Sequence, residues 1–338
     1  MRGALIGCGF FAQNQLHAWR DIEGVEIVAL CDRDPERLKR SGADFGIDKH
    51  YMDAAEMLAT EHLDFVDIAT TAPTHRLLVE QALRAGAHVI CQKPFAETMA
   101  DARAMVATAQ ATGLTLMVHE NFRWQSPVRR VIELLREGAI GTPFFARVSF
   151  RSGYDVYSGQ PYLAEGERFI IEDLGIHILD IARALLGDAV RISATTRRVN
   201  PRIRGEDVAT MLLEHEGGAT SVVDCSYASR RARESFPETA IEIDGELGTL
   251  KLEPGYRLVI ECDGETVEDV APTLLPWAER PWHNIQESVA IIQRHFIDCL
   301  GAGRAPETSA ADNLHTLALV EAAYVSAAEK RIVELMEI

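Results

Sequence analysis

The run Arg2-Gly3-Ala4-Leu5-Ile6-Gly7-Cys8-Gly9-Phe10-Phe11-Ala12 decides the fold. A short β-rich apolar stretch feeds two closely spaced glycines, and a helical pattern follows from about Gln13. Gly7 suits a tight turn, Gly9 lets a ligand approach the backbone, and Ala12 is small enough for a helix to pack on a strand. Phe10 and Phe11 complete the turn. A helix starting there turns free N–H groups towards a pyrophosphate. The next apolar run, Val25–Cys31, ends in Asp32-Arg33. That places a carboxylate roughly 20 residues past the turn, where it can accept from the adenosine ribose hydroxyls and repel a 2′-phosphate. The pattern therefore predicts NAD. Arg33 and Arg37 pull the other way, because a guanidinium pairs well with a phosphate. A bland alternative makes Asp32 the cap of a helix beginning at Pro35.

Working outward, further apolar runs at Phe65–Thr70, His88–Cys91 and Leu114–His119 alternate with helical patterns at Thr74–Ala85 and Thr98–Thr112. Continuous apolar strands alternating with helices imply an α/β fold: a doubly wound parallel Rossmann sheet covered on both faces. Past residue 122 the rhythm changes. A helix at Pro127–Glu137 precedes period-two segments at Phe144–Phe150, Val190–Arg198, Val208–His215, Thr220–Tyr227, Ala240–Asp244, Thr249–Leu252 and Arg257–Glu261. Turn signals such as Asp244-Gly245 and Pro254-Gly255 separate several of them, which predicts an open, largely antiparallel sheet in a C-terminal α+β domain. Helices are expected at Ile171–Leu186, Asn284–Leu300 and Ala310–Glu329. The expected division is 1–122 for nucleotide binding and 123–338 for substrate binding and oligomerisation.

Composition narrows the function. The 338 residues carry 34 Lys+Arg against 51 Asp+Glu, a net charge of −17 that disfavours nucleic acid and anionic membranes. No apolar stretch reaches the ~18–20 residues of a membrane span. The first residues imitate a short signal peptide, but their glycines fit a strand and turn better. Six cysteines without a C-x-x-C pair suggest a reducing, cytoplasmic setting and no zinc ribbon. An open sheet with one apolar face needs a cover, so a homodimer or homotetramer is expected.

Two further stretches carry chemistry. Cys91-Gln92-Lys93-Pro94 puts one of only five lysines at the C-terminal end of a parallel strand, the edge where ligands bind in such sheets. A solvated strand-end charge is the plain alternative. In Glu172-Asp173-Leu174-Gly175-Ile176-His177, Asp173 and His177 stand four apart on an expected helix and so share a face. A carboxylate beside an imidazole makes a general base, whereas an exposed ion pair is the ordinary reading. A metal site lacks further ligands at usable spacing, so no metal is expected.

The glycine turn, Gln92-Lys93-Pro94 and Asp173-x-x-x-His177, in that order, resemble the glucose–fructose oxidoreductase / inositol dehydrogenase (Gfo/Idh/MocA) family over essentially the whole chain. Most members carry Glu-Lys-Pro where this sequence has Gln92, which leaves the lysine role intact. The resemblance implies an NAD-dependent dehydrogenase of sugars or polyols, with Lys93, Asp173 and His177 catalytic. It also implies cofactor contacts from Thr70, Pro73, His75, Gln92, Lys93 and Asn121. The runs Glu120-Asn121-Phe122-Arg123-Trp124, Gly159-Gln160-Pro161-Tyr162 and Pro281-Trp282-His283-Asn284 are similar to members that oxidise the anomeric carbon of D-apiose, a branched pentose, to the lactone. Lys93, Asn121, Trp124, Gln160, Tyr162, Asp173, His177, Trp282 and His283 are then the expected substrate residues. Amides and aromatic rings suit a neutral sugar, offering donors, acceptors and stacking faces. An inositol or polyol dehydrogenase, a glycosidase using NAD transiently and a non-catalytic nucleotide sensor stand as alternatives.

Overall fold

The computed structural model describes all 338 residues, in two compact units. The first comprises Met1–Glu120 and Val289–Leu314, the second Asn121–Ser288 and His315–Ile338.

In the first unit, strands and helices alternate as β1 (Arg2–Ile6), α1 (Ala12–Arg20), β2 (Glu26–Cys31), α2 (Pro35–Phe45), β3 (His50–Tyr51) and α3 (Ala54–Thr60). They continue as β4 (Phe65–Ile68), α4 (Ala72–Arg84), β5 (His88–Gln92), α5 (Met99–Thr112) and β6 (Leu116–His119). The six strands are all parallel, in the order β3-β2-β1-β4-β5-β6. The order runs outward in both directions from β1, so the turns after β1 and β4 lie at the switch point where doubly wound sheets bind ligands. Leu5, Ala12, Leu16, Leu30 and Leu38 form one buried cluster, the packed seam of α1 and α2 on β1 and β2. Five of the six strands match the expected runs to within two residues. β3 was missed because two residues show no periodicity.

The helix α1 is also pinned by polar contacts. The buried Asp67 carboxyl on β4 accepts from Gln15 Nε2 at 2.9 Å and from Trp19 Nε1 at 2.7 Å. Desolvation by burial pushes this carboxyl up to about 7. Trp19 in turn packs against Phe65 and Phe296.

The second unit opens with a 3₁₀ turn (Phe122–Trp124) and α6 (Ser126–Arg136), then β7 (Pro143–Arg151). A π-helical turn (Ile171–Gly175) runs into α7 (Ile176–Leu186). Next come β8 (Ala189–Arg197), β9 (Val208–His215), β10 (Thr220–Ser226), β11 (Ala240–Gly245), β12 (Gly248–Glu253), β13 (Arg257–Glu261) and β14 (Glu265–Asp269). The chain closes with α8 (His283–Ala302), α9 (Ala310–Glu329) and β15 (Val333–Glu334). Nine strands lie in the order β14-β13-β12-β11-β7-β10-β9-β8-β15, antiparallel except for β7 and β10. Helix α7 packs on β7 and β10, towards which Ala146, Val148, Phe150, Val223 and Cys225 are buried.

Three expectations need correction. The residues Val289–Leu314 cluster with the first unit, not the second. Phe296 packs on Phe65 and Trp19, and Thr308 exchanges two hydrogen bonds with Val118. The opposite face of the second sheet is mixed, not apolar. Arg147 Nη2 and Arg151 Nη1 bind the buried Asp224 carboxylate at 3.1 and 3.0 Å, and Lys251 pairs with Glu261, among scattered groups such as Leu212 and Val222. The expected single helix from Ile171 is π-helical in its first turn. All six cysteines are free, five of them buried and Cys262 exposed. No helix is long and apolar enough to cross a membrane.

Candidate active site

The nucleotide-binding turn lies in the first unit. Gly7 has φ +97°, and a Cβ there would meet the Ala69 backbone at 2.9 Å, so both conformation and space demand glycine. A Cβ on Gly9 would meet nothing within 4 Å, which leaves its backbone open to a ligand. No side chain caps α1, whose first N–H groups and dipole therefore face outward, as a pyrophosphate requires. Phe10 is exposed on the turn, and Phe11 meets His119 edge to face.

Asp32 stabilises this turn from β2. Its Oδ2 accepts from the Cys8 N–H at 2.6 Å and its Oδ1 from the Asp34 N–H at 2.8 Å. The helix-cap alternative fails for Asp32, because Asp34 caps α2 by accepting from the N–H groups of Glu36 and Arg37. Arg37 is already committed, 3.3 Å from the Asp34 carboxylate. Arg33 is exposed. An acidic end to β2, with one of the two arginines engaged, fits an unphosphorylated ribose. The donor set of this unit thus suits NAD.

The loops after β4 and β5 are joined by His75. Its Nε2 faces the Thr70 carbonyl and its Nδ1 the Phe95 carbonyl, each at 3.2 Å. Burial lowers the pKa of this ring and keeps it neutral, so it donates to one carbonyl at a time. His75 is fully buried, and its contacts tie these two loops together. Thr74 donates to Thr70 Oγ1 at 2.7 Å, and Pro73 stands in the first turn of α4. Gln92 Oε1 accepts from the Lys93 N–H at 2.8 Å, while Gln92 Nε2 is buried without a partner. Lys93 is half-buried and joined to Pro94 by a cis peptide bond.

The second unit carries Asp173 in the π-helical turn and His177 in the first turn of α7. The change of helix type means that four-residue spacing does not place them as in a uniform α-helix. Such π turns occur mostly singly and often at functional sites. The helix start is held by Glu206, whose Oε1 accepts from the Phe169 N–H at 3.1 Å and the Tyr324 hydroxyl at 2.7 Å, with the Ile171 N–H at 3.4 Å. Further along, Arg123 grips Asp180 with two bonds of 2.7 and 2.6 Å, and Thr316 donates to Asp180 Oδ1 at 2.9 Å. The imidazole of His177 is 4 % exposed and lies flat against the ring of Phe122.

The expected substrate residues divide. Tyr162 is exposed and donates to Gln160 Oε1 at 2.7 Å. Trp282 Nε1 reaches the Tyr154 hydroxyl at 3.3 Å, and both rings pack on Phe236. Trp124 and His283 are buried. Trp124 lies under the Arg129 guanidinium, and His283 points Nδ1 at the Pro281 carbonyl. Asn121 is also buried, its amide donating to Ser288 Oγ at 2.6 Å. Sequence reasoning gave no role to Glu206, Phe122, Tyr154 or Phe236, whose partners are remote along the chain.

Comparison with known proteins agrees with the fold and with NAD as cofactor. Residues 1–120 match an oxidoreductase family with an NAD-binding Rossmann fold, and residues 128–251 match the GFO/IDH/MocA C-terminal domain. The chain is 65 % identical to D-apiose dehydrogenase of Paraburkholderia graminis, over 99 % of this chain and 89 % of that protein. Against D-apiose dehydrogenase of Rhizobium rhizogenes it is 60 % identical, over 99 % and 97 %. An oxidoreductase from Agrobacterium radiobacter, crystallised with NAD+, L-tartaric acid and magnesium, superposes with a TM-score of 0.99. It is 60 % identical, with 100 % of this chain and 99 % of that one covered. The protein is thus an NAD-dependent oxidoreductase and belongs to the Gfo/Idh/MocA family.

Proposed function

We propose that this protein oxidises the anomeric hydroxyl of D-apiose to the lactone. The observation that carries the reading is the near full-length identity to two D-apiose dehydrogenases. Bound NAD+ supplies a hydride acceptor for the anomeric carbon. In this reading His177 takes the proton from the reacting hydroxyl, and Asp173 orients the imidazole. Lys93 donates to the same oxygen and stabilises its developing negative charge. Gln160, Tyr162 and Trp282, with Tyr154 and Phe236 behind Trp282, supply amide and aromatic contacts for a neutral sugar. The expected oligomer, a homodimer or homotetramer, uses the open face of the nine-stranded sheet, whose buried Asp224 and scattered apolar groups suit a wet interface. Free, mostly buried thiols support a reducing, cytoplasmic setting.

The test is a panel of pentoses, hexoses and inositols assayed with NAD+ and NADP+ by NADH or NADPH absorbance. The reading expects the highest kcat/KM for D-apiose with NAD+, and one NADH per lactone formed. A polyol or another aldose turned over faster would overturn the substrate. Cleavage of an aryl glycoside without net NADH would overturn the reaction type.

A further inference from the structure

We propose that Phe122 is a positioning residue for catalysis, fixing the plane of the His177 imidazole through face-to-face stacking. The proposal rests on the reading of His177 as the general base. The two ring centroids are 4.0 Å apart and the planes differ by 6°. Parallel stacking is one of the favoured geometries of aromatic pairs, and at this distance the two faces are in direct contact. The helix constrains χ1 of His177, but χ2 of a histidine is broad and roughly two-fold. A flat neighbour at this distance removes most of that freedom, because a tilted imidazole would drive its edge into the Phe122 face. The ring nitrogens lie in the imidazole plane. Stacking therefore covers a face that does no chemistry and leaves the proton-accepting edge usable.

Phe122 can impose a plane only if it is itself fixed, and the structure fixes it twice. Behind it lies Phe150 of β7, with centroids 6.1 Å apart. Next to it, Arg123 makes its two-bond contact with Asp180, three residues beyond His177 on the same helix. This ion pair sets the height of the 3₁₀ turn against α7, and the stack then sets the angle. Charged groups on the elements that carry or pack against His177 include Arg123 on the turn, Asp180 on α7 and Asp173 on the π-helical turn.

The test compares three variants of the full-length enzyme for kcat, KM for NAD+, thermal unfolding and the pH dependence of kcat/KM. Phe122→Leu keeps an apolar group of similar reach but no flat face. It is expected to lower kcat about 10- to 100-fold, with KM for NAD+ unchanged and the alkaline rise displaced, because small misplacements of a reacting group cost this much. Phe122→Tyr restores the flat face and is expected to return kcat to within about 3-fold of wild type, with a normal pH profile. His177→Ala should lose the alkaline rise altogether.

If His177→Ala loses the rise but Phe122→Leu keeps wild-type kcat and profile, the stacking proposal alone is overturned. If Phe122→Leu is slow with an unmoved pH profile, or Phe122→Tyr fails to rescue it, Phe122 is ordinary core packing and the proposal again fails. A rise that survives in His177→Ala removes the base itself, and the proposal with it.

Discussion

Two helix starts in this molecule face opposite ways chemically. The first turn of α1 carries no side-chain cap, and glycines on its approach leave space beside the backbone. The helix leading to His177 begins under the Glu206 carboxylate, which already takes N–H groups from Phe169 and Ile171. An uncapped start leaves its partial positive charge for an anion from outside, whereas a capped one has spent it within the protein. The first is built to receive a ligand. The second is built to hold side chains still. Variants in the first should act on cofactor affinity, and variants in the second on turnover.

Lys93 offers the strongest challenge to that division, because it sits in the nucleotide unit yet is assigned to chemistry. Lys93→Ala is expected to lower kcat by about 10²–10³ with Kd for NAD+ little changed, the scale of losing one oxyanion-stabilising donor. A variant with full turnover and weak NAD+ binding would return Lys93 to the cofactor side. Next in size, Gly7→Ala meets both the positive φ and the 2.9 Å contact with Ala69. Calorimetric titration should find NAD+ binding weakened about 10- to 100-fold, the equivalent of about 1–3 kcal/mol of strain. Unaltered affinity would show that the turn is not the pyrophosphate seat.

On the capped helix, Glu206→Ala leaves two buried N–H groups and the Tyr324 hydroxyl short of an acceptor. It should cost about 1–3 kcal/mol of stability by denaturant melts and lower kcat several-fold, with NAD+ affinity intact. Glu206→Gln, which keeps an oxygen in place, should recover part of both losses. A change confined to NAD+ affinity would dissolve the contrast between the two helix starts.

The smallest effect on turnover is expected at Asp67, under α1. A carboxyl raised to about 7 holds its proton in the folded chain where the unfolded chain, near the usual ~3.9, has released it. The folded state then binds more protons between those values, so this group's contribution to stability declines as pH rises through that window and levels off above it. Asp67→Asn should flatten the decline in Tm between about pH 4 and pH 7, leaving kcat near wild type. Parallel Tm curves for variant and wild type would mean that Asp67 does not titrate there.

What could be read in advance follows from how local each signal is. The β1 and β2 runs, Gly7 and Asp32 sit within one strand–helix–strand unit, and their chemistry shows in consecutive residues. β14 escaped notice because Glu265–Asp269 is a mostly polar edge strand with no buried face to impose period two. The π-helical turn also left no trace, since its residues would serve an α-helix equally well. Trp124 and His283 read as ligand-binding residues by type, and only the fold shows that Trp124 lies under Arg129 and that His283 faces the Pro281 carbonyl. The Phe122 stack and the Glu206 cap join residues far apart in order, so no window of sequence contains either.

The thiols have a practical consequence. Burial pushes Cys8 and Cys31, flanking the dinucleotide turn, up to about 12, while Cys91 and Cys225 are fully shielded as well. Only Cys262, just past β13, lies open to reagent. Maleimide chemistry on the native enzyme should therefore mark one position per chain, giving a ready attachment point for a fluorophore with every residue of the proposed chemistry left intact.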